Sequence, residues 1–193
     1  MTITDNLNND ISDAPTWFKE SISIKGTELC IENKDGRIAY SKWNSKTESD
    51  NLLIFIHGTG AHKKWWDPIA PQFLNDSNVI AVDLPGMGDS DFRETYSITD
   101  FGKCIFEIIK KEMKEMNIEN IFIVGHSLGG QVAAYVASEN KNLVTSLIMI
   151  DTFIRPPDYD PSQHEGGPLR KIKHYADKIT ILERFRLMPK QEC

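Results

Sequence analysis

The sequence predicts an α/β fold, a three-layer α/β/α sandwich around a mostly parallel sheet. Four runs, Leu52–Ile56, Val79–Val82, Ile121–Val124 and Leu147–Ile150, are apolar throughout. Strands have that character when a parallel sheet is covered on both faces. Segments with apolar residues at helical spacing separate them, and the resulting β-α-β-α-β-α-β order is the pattern of a layered α/β domain. A chain of 193 residues, 40% hydrophobic and 26% charged, carries enough apolar material for one core of ordinary domain size.

Each element has a local reason. Residues 1–18 read as a polar leader. Ser21–Ile24 and Glu28–Glu32 alternate apolar and polar residues around a Lys25-Gly26 turn, and Arg37–Trp43 alternates again after Asp35-Gly36. Such alternation between short glycine turns predicts hairpin strands. After the run Leu52–Ile56, residues Trp65, Trp66, Ile69 and Phe73 predict a helix. A longer helix is predicted by Ile98, Phe101, Ile105, Ile108, Ile109, Met113 and Met116, with Ser97 and Asp100 as its capping box. Leu128, Val132, Tyr135 and Val136 make a third. Beyond Asp151 the texture changes: Pro156, Pro157, Pro161, Gly166, Gly167 and Pro168 mark an irregular connection, and Ile172, Tyr175, Ala176, Ile179 and Leu182 predict one amphipathic helix. The expected organisation is a leader (1–18), a core (19–155) and the start of a cap or lid insertion (156–193).

Composition removes several function classes. The net charge of −6 argues against nucleic acid as a partner, since phosphate neutralisation needs clustered Lys and Arg. The acidic N-terminus is no secretory signal. The longest strongly apolar runs are about five residues, against the ~20 of a membrane helix, so a soluble cytoplasmic protein with no membrane partner is expected. Cys30, Cys104 and Cys193 form no CxxC pair and read as reduced thiols. No metal cluster, phosphate loop or dinucleotide fingerprint is present, so no cofactor is implied. The expected partner is a small-molecule substrate.

Gly125-His126-Ser127-Leu128-Gly129 is a G-x-S-x-G motif, placed after a predicted strand and opening a predicted helix. That context makes it a nucleophile elbow: glycines flank a tight turn that lifts the Ser127 hydroxyl above the sheet. The other reading is a plain strand-to-helix turn capped by the serine. His57-Gly58-Thr59-Gly60 ends an earlier strand, where the Thr59 amide, with that of Leu128, can form an oxyanion hole. His57 alone reads as a structural hydrogen-bonder. Asp83-Leu84-Pro85-Gly86-Met87-Gly88-Asp89-Ser90 follows another strand; Asp83 is expected to fix this loop by accepting from backbone amides, with a catalytic acid as the alternative. Trp65-Trp66 reads as core or pocket wall.

These motifs, in this order and spacing over residues 20–155, resemble the α/β-hydrolase fold family. The wording from His57 to Trp66 and from Arg184 to Pro189 is similar to bacterial esterase-like hydrolases with a helical cap. The resemblance implies the strand order 1-2-4-3-5-6-7-8, a cap inserted after the sixth strand, and an acid and a histidine after the seventh and eighth. Serine at the elbow points toward carboxylic ester and thioester hydrolysis through an acyl-enzyme, and away from the carboxylate-nucleophile epoxide hydrolases and dehalogenases. Asp151 with His174 satisfies the chain order of such a triad but not its context, since His174 is on a predicted helix in the cap position; His164 is in a Pro/Gly-rich loop. The histidine base is therefore expected to be missing, the chain to be C-terminally truncated and inactive alone, and its sixth strand to form an apolar edge. A non-catalytic small-molecule binder and a haloperoxidase-like perhydrolase are the alternatives.

Overall fold

The computed structural model describes residues 11–154. Its compact unit is Pro15–Ile154. The elements are α1 (Thr16–Ser23), β1 (Thr27–Asn33), β2 (Gly36–Trp43), β3 (Asn51–Ile56), two 3₁₀ turns (Lys63–Trp66 and Ala70–Phe73), β4 (Asn78–Val82), α2 (Ile98–Glu115), β5 (Asn120–His126), α3 (Leu128–Glu139) and β6 (Ser146–Ile150). The strands form one sheet in the order β1-β2-β4-β3-β5-β6. β2 is antiparallel to β1 and β4, whereas β4, β3, β5 and β6 run parallel. The mostly parallel α/β architecture is as the sequence predicts.

The continuous apolar runs have a visible cause. In β3, Leu52, Ile54 and Ile56 join the core formed with α2 and α3, while Leu53 and Phe55 pack on the opposite face with Trp66, Ala70 and Leu74. Both faces of the strand are dry, so neither half of its alternation is polar. Phe55 and Trp66 stack at 4.6 Å between ring centroids. Helix α2 turns Phe101, Cys104, Ile105, Ile108 and Ile109 inward. Its cap forms as expected: Ser97 Oγ accepts from the Asp100 amide at 3.1 Å and its hydroxyl donates to the Asp100 carboxylate at 2.6 Å. No described helix is long and apolar enough to cross a membrane.

Two expectations are corrected. Ser21–Ile24 is not a strand; Ser21–Ser23 end α1. Pro15 caps that helix, with the Phe18 and Lys19 amides donating to its carbonyl, and four alternating residues are too few to fix a strand against it. The helix predicted from Trp65 to Phe73 is instead two 3₁₀ turns. Pro68 and Pro71 remove the amides a continuous helix would use and crowd its preceding carbonyls. The run Leu147–Ile150 forms a parallel strand in which Ile148, Met149 and Ile150 are 40–55% exposed. Among the described residues β6 pairs with β5 alone.

Candidate active site

The site forms at the carboxyl ends of β3, β4 and β5, where three loops converge. Ser127 sits between β5 and α3 with φ 52° and ψ −115°, a conformation that costs a non-glycine residue on the order of 1–3 kcal/mol and persists only where the surroundings enforce it. The enforcement is steric. A Cβ on Gly125 would overlap the Gly129 carbonyl, and one on Gly129 would overlap the Ile56 carbonyl, so α3 can sit against β5 and β3 only with glycine at both positions. The Ser127 amide donates to Ile150 O at 2.9 Å. Thr152 Oγ1 braces the turn from the other side, donating toward Ile150 O at 3.0 Å and Ser127 O at 3.3 Å.

Ser127 occupies the N-cap position of α3, yet its side chain makes no cap hydrogen bond. That removes the plain capped-turn reading. Leu128, half-buried, is the first residue of α3. Its amide belongs to the set a helix start leaves unpaired, and it points along the positive end of the helix dipole. The Gly58 loop lies directly alongside: a Cβ on Gly58 would stand 2.7 Å from His126 Nδ1 and 3.2 Å from Ser127 Cβ. The structure thus brings together the elbow and the glycine loop that the sequence singled out separately. Thr59 is exposed at the tip of a turn that the Ala61 amide closes on Gly58 O at 3.2 Å.

The glycine loop is tied down by polar side chains. His57 is fully buried. The Leu84 amide lies 3.1 Å from His57 Nε2, and since an amide can only donate, Nε2 must be the unprotonated acceptor. The ring proton is then on Nδ1, which donates to Gly58 O at 2.8 Å. Burial holds the imidazole below its ordinary pKa, so the neutral tautomer is the stable one. Asp83, also fully buried, accepts from the Lys63 amide at 2.6 Å, Lys63 Nζ at 2.8 Å and the Asp89 amide at 2.9 Å. The expected loop-fixing role of Asp83 is what these bonds perform. Lys63 Nζ also reaches the Asp89 carboxylate and lies 3.4 Å from Glu28. Burial opposes its charge, but the bonds to Asp83 and Asp89 more than offset this and raise its pKa above the lysine range.

Two contributors escaped the sequence reading. Lys63 sits in a Lys-Lys-Trp-Trp stretch that carries no sign of which lysine turns inward, and Thr152 is a lone threonine after a strand. Asp151 follows β6 with φ 47° and is exposed. His164 and His174 lie outside the described residues, and none of the described histidines hydrogen-bonds to Ser127. His126 packs its ring against Trp65 with centroids 5.5 Å apart, and its Nδ1 is buried with no partner among the described residues. A cleft of about 710 Å³ lies elsewhere, lined by Asn33, Arg93, Tyr96, Phe101 and Cys104 among others, and Ser127 is not in its lining.

Comparison with known proteins supplies the family. A family model described as alpha/beta hydrolase fold matches residues 51–182. The chain is 33% identical over 141 residues to a pimeloyl-[acyl-carrier protein] methyl ester esterase of Pseudoalteromonas atlantica, covering 69% of this chain and 50% of that one. It is 30% identical over 170 residues to a probable serine hydrolase of Drosophila melanogaster, covering 86% of this chain and 48% of that one. Among solved structures, the epoxide hydrolase CorEH matches with a TM-score of 0.60 and 26% identity, over 70% of this chain and 46% of the other. The chain spans about half the length of these relatives or less.

Proposed function

The chain belongs to the alpha/beta hydrolase fold family, and from that premise we propose that it carries the nucleophile half of a serine hydrolase acting on a carboxylic ester or thioester. The observation that carries this reading is the elbow: a non-glycine residue at φ 52°, enforced by glycines, with its side chain free of any capping duty and the Gly58 loop against it. Ser127 Oγ attacks the acyl carbon. The Thr59 and Leu128 amides stabilise the oxyanion of the tetrahedral intermediate. That intermediate collapses to an acyl-enzyme with loss of the alcohol or thiol, and water then releases the acid. A serine hydroxyl needs a base to give up its proton; none of the described histidines hydrogen-bonds to Ser127, and the described residues alone are proposed to activate it only weakly.

Chemical rescue tests this. The purified chain is treated with a fluorophosphonate, with and without added imidazole, and the labelled residue is located by mass spectrometry. The expected result is weak labelling that rises saturably with imidazole, confined to Ser127 and absent in Ser127→Ala. Equal imidazole-dependent labelling of Ser127→Ala, or of the urea-unfolded chain, would overturn the nucleophile assignment. Fast labelling without imidazole would keep the nucleophile and overturn its weak activation, placing a working base within the chain.

A further inference from the structure

The oxyanion-hole assignment places a demand on one peptide group. The Thr59 N–H is part of the Gly58–Thr59 peptide, whose other polar end is the Gly58 carbonyl. In a planar trans peptide these two ends point in opposite directions, so whatever holds the carbonyl also aims the N–H. Two donors hold it: His57 Nδ1 at 2.8 Å and the Ala61 amide at 3.2 Å. Both lie within the loop itself, and a loop bonded only to itself can swing as a unit. What anchors it to the sheet is the far side of the same imidazole, where His57 Nε2 accepts from Leu84 N–H at the end of β4. The loop's exit is fastened to the same place, because Asp83, the neighbour of Leu84, accepts both the amide and the ammonium of Lys63.

We propose that His57 is the positioning residue of the oxyanion hole: its neutral ring, clamped between Leu84 N–H and Gly58 C=O, fixes the Gly58–Thr59 peptide plane and so directs the Thr59 N–H outward beside Ser127. His57 touches no substrate; it acts through the peptide it holds. The Lys63–Asp83 pair is the second fastening point, preventing the loop from pivoting about the first. A fully buried imidazole two residues from the proposed donor is bonded at both nitrogens to backbone groups, and through them to the peptide that carries the donor. The inference rests on the reading of Ser127 as nucleophile and Thr59 as donor.

The two nitrogens can be separated by substitution. In His57→Asn the side-chain amide nitrogen can occupy the place of Nδ1 and donate to Gly58 O while the Leu84 contact is lost. In His57→Gln the side-chain carbonyl can reach the place of Nε2 and accept from Leu84 while the donor to Gly58 is lost. The readouts are imidazole-rescued fluorophosphonate labelling of Ser127, the Thr59 amide resonance in ¹⁵N spectra, and melting temperature. His57→Gln is expected to label about tenfold or more slowly, short of the roughly 10²–10³-fold loss when an oxyanion donor is removed outright, with a displaced Thr59 resonance. His57→Asn, which keeps the donor to Gly58 O but frees the loop from Leu84, is expected to label at a rate between those of the parent and His57→Gln, with the Thr59 resonance nearer the parent's than in His57→Gln. In the parent, the His57 ring should show the Nδ1–H tautomer, with a coupling across the Leu84 N–H···Nε2 bond. Equal labelling and equal Thr59 resonances in the two variants would overturn the proposal, as would slowing in both that follows melting temperature alone. Should the parent chain fail to label at Ser127, the hydrolase reading falls, but a Thr59 resonance displaced further in Gln than in Asn would still support His57 as the residue that orients the peptide.

Discussion

The elbow and the glycine loop meet at one point but are held by opposite means. Around Ser127 the constraint is exclusion: Gly125 and Gly129 let two backbones touch, and the hydrogen bonds are almost all from main-chain groups or Thr152. Around Gly58 it is attachment: His57, Lys63, Asp83 and Ser90 are buried polar side chains, each bonded to partners 20 or more residues away. Exclusion makes the elbow rigid and indifferent to its solvent. Attachment makes the loop dependent on charges that are worth having only while every partner is present. The nucleophile can therefore stay placed when the proposed oxyanion donor does not, which is the separation that substitutions can expose.

Breaking the attachment is expected to have the largest effect. Asp83→Ala removes three hydrogen bonds and leaves the Lys63 ammonium, 1% exposed, with only the solvent-facing Asp89 and Glu28 as counter-charges. Removing one partner of a buried ion pair costs about 3–5 kcal/mol. Urea unfolding should report a loss of that size, and Asp83→Ala combined with Lys63→Met should recover part of it, since the stranded charge is gone. A midpoint within error of the parent, or a double variant worse than the single one, would show that the cluster does not hold the loop.

Crowding the elbow comes next. The added methyl of Gly125→Ala meets the Gly129 carbonyl and the Gly130 Cα, all main chain, so relief requires α3 to move off the sheet. Overpacking at a site that cannot yield costs about 3 kcal/mol. The same urea experiment should show that loss, and labelling of Ser127 should vanish even in molecules that remain folded. Normal labelling would mean that the turn tolerates a side chain and that exclusion does not set its geometry.

This contrast also explains what could be read in advance. Exclusion leaves a local trace, because glycines at fixed spacing around a serine are contiguous in the chain; the elbow, its strand and its helix were all legible from residues 121–136. The runs in β3 and β4 were legible because burial on both faces erases alternation within five or six residues. Attachment leaves none. Lys63 is followed by another lysine and two tryptophans, and only the folded chain decides that Lys63 turns under the loop toward Asp83 while Lys64 stays exposed. The misread helix is the opposite case: Pro68 and Pro71 stand inside the segment, and given more weight than the spacing of Trp65, Trp66, Ile69 and Phe73 they cut it into two turns.

Gly60 sharpens the comparison from the other side. It has φ 73°, as constrained in torsion as any residue at the site, yet a Cβ there would meet nothing within 4 Å. Gly60→Ala therefore isolates the backbone term from the steric one. A left-handed conformation costs an L-residue on the order of 1–2 kcal/mol, and with open space around the methyl no further penalty arises, so a loss of about 1 kcal/mol is expected. Because the Gly58 carbonyl stays pinned by His57 Nδ1, the Thr59 resonance and the rate of imidazole-rescued labelling should hold within about twofold despite the strain. If the loop instead owed its shape to the freedom of Gly60 rather than to its polar fastenings, the alanine would let the turn relax toward negative φ. The Ala61-to-Gly58 bond would then open, and labelling would fall as far as it does in His57→Gln. The two outcomes differ in rate while sharing the same small change in stability, so the kinetics alone decide between a loop held by its glycine and one held by its histidine.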